Sequence, residues 1–440
     1  MTDLSIRLRQ ALQPWCTAPA WCIAFSGGLD STVLLHLLAD LARREKLPPL
    51  SAIHVHHGLQ SAADSWPEHC AQVCARLGIA LGIVRVQVAP GASLEQAARN
   101  ARYQAFTTRL GPGEVLLSAQ HRDDQAETLL FRLLRGAGVR GLAAMPTSRS
   151  LGQGHLIRPL FDCSRAELQA YAQSHGLAWI EDPSNADERF SRNFLRRQLM
   201  PLLAERWPQA SSSLVRSAGH LAEAQQLLEE LAEMDLLAAR GVSVLPWLPL
   251  PSLDLAAVAA LSDARQRNLL RHWLGPLSRM PDSDHWAGWL DLRDAKSDAA
   301  PVWKLADGEL HRADGRLWWL SGAWLGPLET LDLPCDSSAE SVDLPGNGHV
   351  QLQGDLPQGR WHLRYRQGGE SLRVPGRGRR DLKRLLNELR VPAFVRPRLP
   401  LLFEGDELMA VANLSQSSEI EASGARLHWS PPIGAQGLSW

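Results

Sequence analysis

The run Trp21-Cys22-Ile23-Ala24-Phe25-Ser26-Gly27-Gly28-Leu29-Asp30-Ser31 decides how this chain is read. Its first five residues form an apolar strand and the rest a turn. A helix follows, Ser31–Arg44, with Val33, Leu34, Leu37, Leu38 and Leu41 at helical spacing. Two glycines at such a junction let the backbone approach an anion, and a helix N-terminus presents free N–H groups to it. Ser26 and Ser31 add hydroxyl donors. The lysine of a Walker-type loop is missing, and Asp30 stands where a carboxylate would repel phosphate unless Mg²⁺ lay between them. The loop is expected to hold a pyrophosphate group with its metal.

Outward from this run the chain keeps alternating. Leu50–Val55 reads as a second strand, Asp64–Leu77 as a helix, Leu81–Val88 as a third strand and Ser93–Leu110 as a helix. Glu114–Ser118 is a fourth strand, followed by a helix over Asp123–Arg135 that Asp123 can cap. Such β-α alternation predicts an α/β fold whose parallel sheet is covered on both faces. Ligands then bind beyond the carboxyl ends of the strands, which points to the residues after Phe25, Val55 and Ser118. Near Leu202–Pro208 the pattern changes. Residues 211–240 read as wholly helical, a helix is expected near Ala264–Trp273, and short strands around Val302–Leu320. From about Leu344 the chain turns basic and turn-rich. Three modules are expected: an α/β domain over 1–208, a mainly helical middle over 209–335, and a small basic α+β domain over 336–440.

The bulk numbers agree with several modules. A chain of 440 residues, 45% of them hydrophobic, can bury more than one core, since single domains usually stop growing near about 250 residues. The formal net charge of −1 says nothing about partners, but the positive charge is almost all arginine. The only lysines are Lys46, Lys296, Lys304 and Lys383. Guanidinium suits phosphate and base stacking, although a GC-rich genome gives the same bias. The N-terminus lacks the pattern of a signal peptide, and apolar runs stop short of the roughly 18 residues that a membrane span needs. Six cysteines form neither a CxxC pair nor a disulfide framework. Cys70 and Cys74, one helical turn apart, read as core residues. A cytoplasmic enzyme with no membrane segment is expected.

Further blocks carry chemistry. His54-Val55-His56-His57-Gly58-Leu59 follows the second strand, and Leu94-Glu95-Gln96-Ala97-Ala98-Arg99-Asn100-Ala101-Arg102-Tyr103 opens a helix. His121-Arg122-Asp123-Asp124-Gln125-Ala126-Glu127-Thr128 follows the fourth strand and leads to Arg132, Arg135, Gly136 and Gly138. Then come Arg158-Pro159-Leu160, Glu181-Asp182-Pro183-Ser184-Asn185, and Arg192-Asn193 with Arg196. The three histidines have no fourth ligand at zinc spacing, so zinc is not expected. Asp124 and Glu127, three apart, share one helix face at the carboxyl edge of the sheet. Arg99 and Arg102 point to the same region, as partners of a carboxylate or a phosphate or as plain surface arginines. Gly136 and Gly138 mark either a helix C-cap or a close approach to nucleotide.

The hexapeptide Ser26–Ser31 resembles the PP-loop of the N-type ATP pyrophosphatases, which cleave ATP between its α and β phosphates. All the blocks together, over roughly residues 21–200 and again over Arg366–Asp406, resemble the tRNA(Ile)-lysidine synthetase family. The resemblance implies ATP as substrate, with Mg²⁺ at Asp30, and places Ser26, Gly27, Gly28, Leu29, Asp30, Ser31, His57 and Gly58 at the nucleotide. It implies that free L-lysine and an isoleucine tRNA with a CAU anticodon are the other substrates. Asp124 and Glu127 would then hold the lysine amines, beside Arg99 and Arg102. Arg132, Arg135, Arg192 and Arg196 are expected at the tRNA; a homodimer is compatible with this reading. Two rivals are a PP-loop tRNA thiolase, which normally needs a sulfur-relaying cysteine or a CxxC that this chain lacks, and a non-catalytic tRNA-binding paralogue, in which Asp30, Asp124 and Glu127 would have decayed.

Charge concentrates near the C-terminus. Between Arg360 and Arg398 twelve basic residues face only Glu370, Asp381 and Glu388. Leu382, Leu385, Leu386 and Leu389 form an apolar stripe that leaves Arg380, Lys383 and Arg384 outward, next to Arg377 and Arg379. A helix docked on leucine and lined with cations suits an RNA backbone. Trp286, Trp289, Trp303, Trp318 and Trp319 are expected mostly in the core, with base stacking as their other use.

Overall fold

In a computed structural model of the chain the described residues are 3–58, 61–88, 94–241, 245–280, 283–296, 299–335, 341–354, 356, 358–374, 376–414 and 425–433. Leu59 and Ser93, which the sequence reading includes in a block and a helix, lie outside them. The chain divides into two compact units, Met1–Leu227 and Leu228–Trp440.

The first unit is built on a six-stranded sheet of β1 (Trp21–Ala24), β2 (Leu50–His56), β3 (Ala80–Arg85), β4 (Val115–Leu117), β5 (Ser148–Leu151) and β6 (Gly154–Ile157). Its order is β3-β2-β1-β4-β6-β5. Every neighbouring pair is parallel except β5, which turns back on β6 as a hairpin. Around it lie α1 (Asp3–Leu12), α2 (Leu29–Arg44), α3 (Trp66–Leu77), α4 (Leu94–Arg109), α5 (Arg122–Leu133), α6 (Val139–Leu142), α7 (Arg165–Ser174) and α8 (Ser191–Phe194). Alternate residues of β1 enter different cores. Trp21 and Ile23 pack with Val33, Leu34 and Leu37 of α2 and Leu168 of α7, whereas Cys22 packs with Ile53, Phe106, Leu116 and Leu156. Burial on both sheet faces is what makes these strands read as continuous apolar runs. Cys70 and Cys74 are buried thiols of the first core, as expected.

The chain leaves β1 for β2 and β3 on one side and returns to β4 on the other. The carboxyl ends of β1 and β4 therefore form the topological switch point, where ligands bind in such sheets. The PP-loop follows the first of these ends and the His121 block the second.

The cap of α5 differs from expectation. His121, not Asp123, is the N-cap: its Nδ1 accepts from Asp124 N at 3.4 Å, and Asp124 Oδ2 accepts from His121 N at 3.1 Å. Asp123 instead accepts from Arg165 N at 2.8 Å and Ser211 Oγ at 2.7 Å, tying α5 to α7 and to the helix Ala210–Arg240. Gly136 has φ +72° and closes α5, and Gly138 starts α6, so both glycines serve the chain's own turns.

In the second unit, strands Ser252–Asp254, Arg316–Leu320, Glu309–Ala313 and Val302–Lys304 form a four-stranded sheet that packs on helices Asp263–Leu274 and Ala287–Asp294. The middle region is thus helix plus sheet. Trp286, Trp289, Trp303, Trp318 and Trp319 are all buried, which removes them as base-stacking platforms. Further on, strands Asp332–Cys335, Trp361–Arg364, Leu401–Glu404 and Glu407–Val411 form a second sheet, and the hairpin Ser371–Val374/Gly378–Asp381 leads into helix Leu382–Glu388. One core runs from Leu245 and Trp318 to Leu402 and Trp429, across the expected boundary at 335/336. Among the described residues no helix is long and apolar enough to cross a membrane.

Candidate active site

The PP-loop is held from both sides. Gly27 has φ +85°, and a Cβ there would sit 2.6 Å from Ile180 Cδ1 and 3.0 Å from Cys70 Sγ, so only glycine fits without strain. Gly27 O accepts from Ile180 N at 2.9 Å and from Thr32 Oγ1 at 3.2 Å. Gly28 is the N-cap of α2 and no side chain caps it. The first turn of α2 is therefore left without a side-chain cap on its N–H groups, the arrangement in which a helix N-terminus can take an anion. Ser26 Oγ lies 3.0 Å from Ser31 Oγ, which also donates to Gly28 O at 3.0 Å. Leu29 is buried and anchors the turn in the core.

Asp30 faces the end of β4. Its Oδ2 lies 3.7 Å from His121 Nε2, and its Oδ1 is buried without a hydrogen-bond partner. An orphaned carboxylate oxygen fits Mg²⁺, which is usually held by one or two carboxylates and completed by substrate phosphates. His121 is 0% exposed and lies between Asp30, Asp123 and Asp124. Burial alone would lower its pKa, but Asp30, Asp124 and Asp123 overcome that and raise it.

Beyond His121 lies the acid pair. Asp124 and Glu127 are 9% and 2% exposed. Arg196 donates Nε to Glu127 Oε1 at 2.7 Å, and Nη2 to Glu127 Oε2 at 2.9 Å and Asp124 Oδ1 at 2.8 Å. Arg192 reaches the same two acids at 3.3 and 3.1 Å. Burial would raise the pKa of Asp124, but His121, Arg192 and Arg196 hold it low. The same contacts raise that of Arg196 against its own burial. Both arginines come from α8 and the π-helical turn Leu195–Leu199 behind it. They were expected at the tRNA; here they are counter-ions of Asp124 and Glu127. The sequence carried a signal for this, because Arg192 and Arg196 are spaced i,i+4 on one helix face.

His57 lies at the end of β2, half-buried, with Nδ1 unpartnered. Burial, then the charges of Arg102, His54 and His56, lowers its pKa to about 4, so it is neutral at physiological pH. Gly58 follows with φ +64°. Arg132 donates Nη1 to Gly141 O at 2.8 Å and Ala144 O at 2.7 Å, bracing α6, while Arg135 stacks 4.7 Å over the ring of Phe131. Arg377, Arg379, Lys383 and Arg384 are exposed. Arg377 and Arg384 lie 3.3 and 3.5 Å from Glu388, Arg379 lies 3.8 Å from Glu407, and Arg380 donates to Arg377 O at 3.1 Å. Exposed pairs of this kind are worth only about 0–1 kcal/mol, so phosphate can replace them. Arg398 is different: it is buried and donates to Trp324 O, Gly326 O and Gly346 O. It belongs to the core, not to the basic surface.

His121, which carries no role in the sequence blocks, is the side chain that links Asp30 to the acids of α5. Its signal was position, directly beyond the strand beside β1.

Three family models match in order: the PP-loop domain over residues 1–203, the TilS substrate binding domain over 253–318 and the TilS substrate C-terminal domain over 361–431. The chain is 63% identical over 437 residues to a tRNA(Ile)-lysidine synthase of Pseudomonas fluorescens, covering 99% of this chain and 98% of that one. It is 61% identical over 442 residues to that of Pseudomonas aeruginosa, covering 99% of both. With the Escherichia coli O157:H7 enzyme it shares 42% over 413 residues, 91% of this chain and 94% of that one. Identity this high over nearly the whole length, with PP-loop and substrate domains in the same order, means that the chain belongs to the tRNA(Ile)-lysidine synthase family.

Proposed function

We propose that the protein joins free L-lysine to C2 of the wobble cytidine in an isoleucine tRNA with a CAU anticodon, in the cytoplasm and in two steps. In the first, O2 of the cytidine attacks the α phosphate of ATP. An O2–P bond forms, the bond to the β phosphate breaks, and pyrophosphate leaves. In the second, the ε-amine of lysine attacks C2 as the free base: a C2–N bond forms, the nitrogen gives up one proton to solvent, the C2–O2 bond breaks, and AMP leaves with O2. Activation is needed because a carbonyl-like oxygen is a poor leaving group, whereas adenylate is a good one.

The observation that carries this reading is the meeting of Asp30, His121, Asp124 and Glu127 at the switch point of the sheet. The α2 N-terminus, with Ser26 and Ser31, receives the polyphosphate. Asp30 would hold Mg²⁺, which when bound neutralises the phosphate charge. His57, neutral and with a buried free nitrogen, suits an uncharged adenine better than a phosphate. Asp124 and Glu127 give the lysine amines an anionic seat. Held low by its neighbours, Asp124 binds an ammonium better than it accepts a proton. Lysine entering this seat shares it with Arg192 and Arg196 or displaces them. Arg102, whose charge reaches His57, is offered for the lysine carboxylate. The middle and C-terminal regions, 209–335 and 336–440, contact the tRNA through exposed arginines and Lys383.

The experiment is a quenched time course with ATP, labelled lysine and the tRNA. Omitting lysine should leave pyrophosphate release and adenylated tRNA in place, and adding it should give labelled tRNA. Asp30→Asn should stop pyrophosphate release in a folded protein. Near-normal pyrophosphate yield from that variant across a Mg²⁺ titration would overturn the assignment.

A further inference from the structure

Not every arginine of the first unit has an acid beside it. Arg7 pairs with Glu167 and Asp3, and Arg192 and Arg196 pair with Asp124 and Glu127. A different arrangement surrounds Tyr103 of α4, which packs edge-on against Phe106 at 5.9 Å. Arg99, one helical turn earlier, places its guanidinium carbon 4.9 Å from the Tyr103 ring centroid. Arg149, from the edge strand β5, lies over the same ring at 4.9 Å. Arg158, just past β6 and 4% exposed, donates Nε to Gln120 Oε1 at 3.1 Å and Nη1 to Pro146 O at 2.6 Å. Its charge is felt at Tyr103 together with those of Arg99 and Arg149. Among the described residues no carboxylate forms an ion pair with any of the three.

A buried guanidinium satisfied only by neutral acceptors, with two like charges beside it, is costly unless an anion completes the group. Arg99 and Arg149 are exposed, so the anion comes from outside. With two guanidiniums already over its ring, Tyr103 has little room to stack a base, and what the group offers outward is N–H edges. Such forks match phosphate oxygens. The place is informative too. Gln120, which receives Arg158, precedes His121, the residue that faces Asp30.

We propose that Arg99, Arg149 and Arg158, gathered around Tyr103, form an oxyanion site that holds one backbone phosphate of the bound tRNA. The proposal rests on the tRNA-modifying reading above, and it assigns Arg99 to phosphate where the sequence left carboxylate or phosphate open.

The test uses full-length protein and full-length isoleucine tRNA, with affinity measured over a salt series and the KM for lysine measured in parallel. Arg149→Ala is the first variant, because Arg149 is exposed on an edge strand and its loss does not open a core. Affinity should fall about tenfold, the equivalent of one charge-assisted hydrogen bond. The slope of log K against log salt should shrink by roughly 0.7–0.9, and the KM for lysine should stay put. Arg149→Lys should keep the slope, and Arg99→Ala should repeat the loss from the helix side. Unchanged affinity and slope in both alanine variants would overturn the site. A raised KM for lysine at unchanged tRNA affinity would show that it takes the lysine carboxylate instead. Wild-type lysine incorporation in the same tubes tests the underlying reading separately: its absence would count against the proposed reaction while the salt slopes still report on the phosphate.

Discussion

Replacing Glu127 by glutamine keeps the shape of a buried side chain and removes one charge from a cluster of two acids and two arginines. Arg196 exchanges a charged acceptor at 2.7 and 2.9 Å for a neutral amide oxygen and keeps Asp124 Oδ1 at 2.8 Å, while Arg192 loses its charged partner at 3.3 Å. Breaking a buried pair by removing one partner usually costs about 3–5 kcal/mol. Asp124 and Arg192 remain in place, so the low end, about 3 kcal/mol, is expected. At about 2–4 °C per kcal/mol for a unit of this size, the melting transition of the first unit should fall by roughly 6–12 °C. Adding Arg196→Gln should restore part of the loss, with a coupling of about 1.5–3 kcal/mol in the double-mutant cycle. Because the PP-loop is untouched, Glu127→Gln should still release pyrophosphate at a rate within about threefold of the wild type, while the KM for lysine rises at least about tenfold, as loss of an ammonium partner demands. Thermal melts give the first set of numbers, and the quenched time course gives the second. A variant that melts within about 2 °C of the wild type, additively with Arg196→Gln, would show that the pair carries no stability. Wild-type KM for lysine would remove Glu127 from the amine seat.

Gly27→Ala should cost about 1–3 kcal/mol through its left-handed backbone and weaken ATP binding, because Ile180 and Cys70 leave no room for the new methyl; calorimetric ATP binding checks it. The triple variant Arg379→Ala, Lys383→Ala, Arg384→Ala should fold normally and lower the tRNA salt slope by up to roughly 2–3, an unchanged slope showing that this surface serves another partner. His57, neutral in the fold with a pKa of about 4 against 6.5 when free, contributes stability that is complete above about pH 6.5 and lost as the pH falls toward 4. Burial, and after it the positive charge of Arg102, sets this sign, so His57→Asn should flatten the decline of melting temperature between pH 7 and 4.5.

Much of the first unit was legible because its determinants are local. Apolar runs long enough to be buried on both faces mark β1, β2 and β4, helical spacing marks α2, and the glycine pair marks the turn between β1 and α2. The hairpin β5–β6 was missed because Ser148-Arg149-Ser150-Leu151 is polar, at the sheet edge, and packs one residue into the core. The cap of α5 was misassigned for a related reason. Asp123 and Asp124 both look like caps in sequence, but Asp123 is drawn off by Arg165 and Ser211, partners 42 and 88 residues away, and the shielded His121 takes its place. Separation in sequence also hid the roles of the arginines. Arg192 and Arg196 lie 65 to 72 residues beyond the acids they neutralise, and Arg398 lies 72 and 74 residues beyond two of the carbonyls it binds. Counting charge along the chain could therefore find a basic region but could not sort its members. Sorting needs the acid or carbonyl each guanidinium meets in space. By that criterion Arg398 leaves the basic surface, Arg192 and Arg196 join Asp124 and Glu127, and Arg149, which no motif had singled out, joins Arg99 and Arg158 around an aromatic ring with no acid paired to them among the described residues.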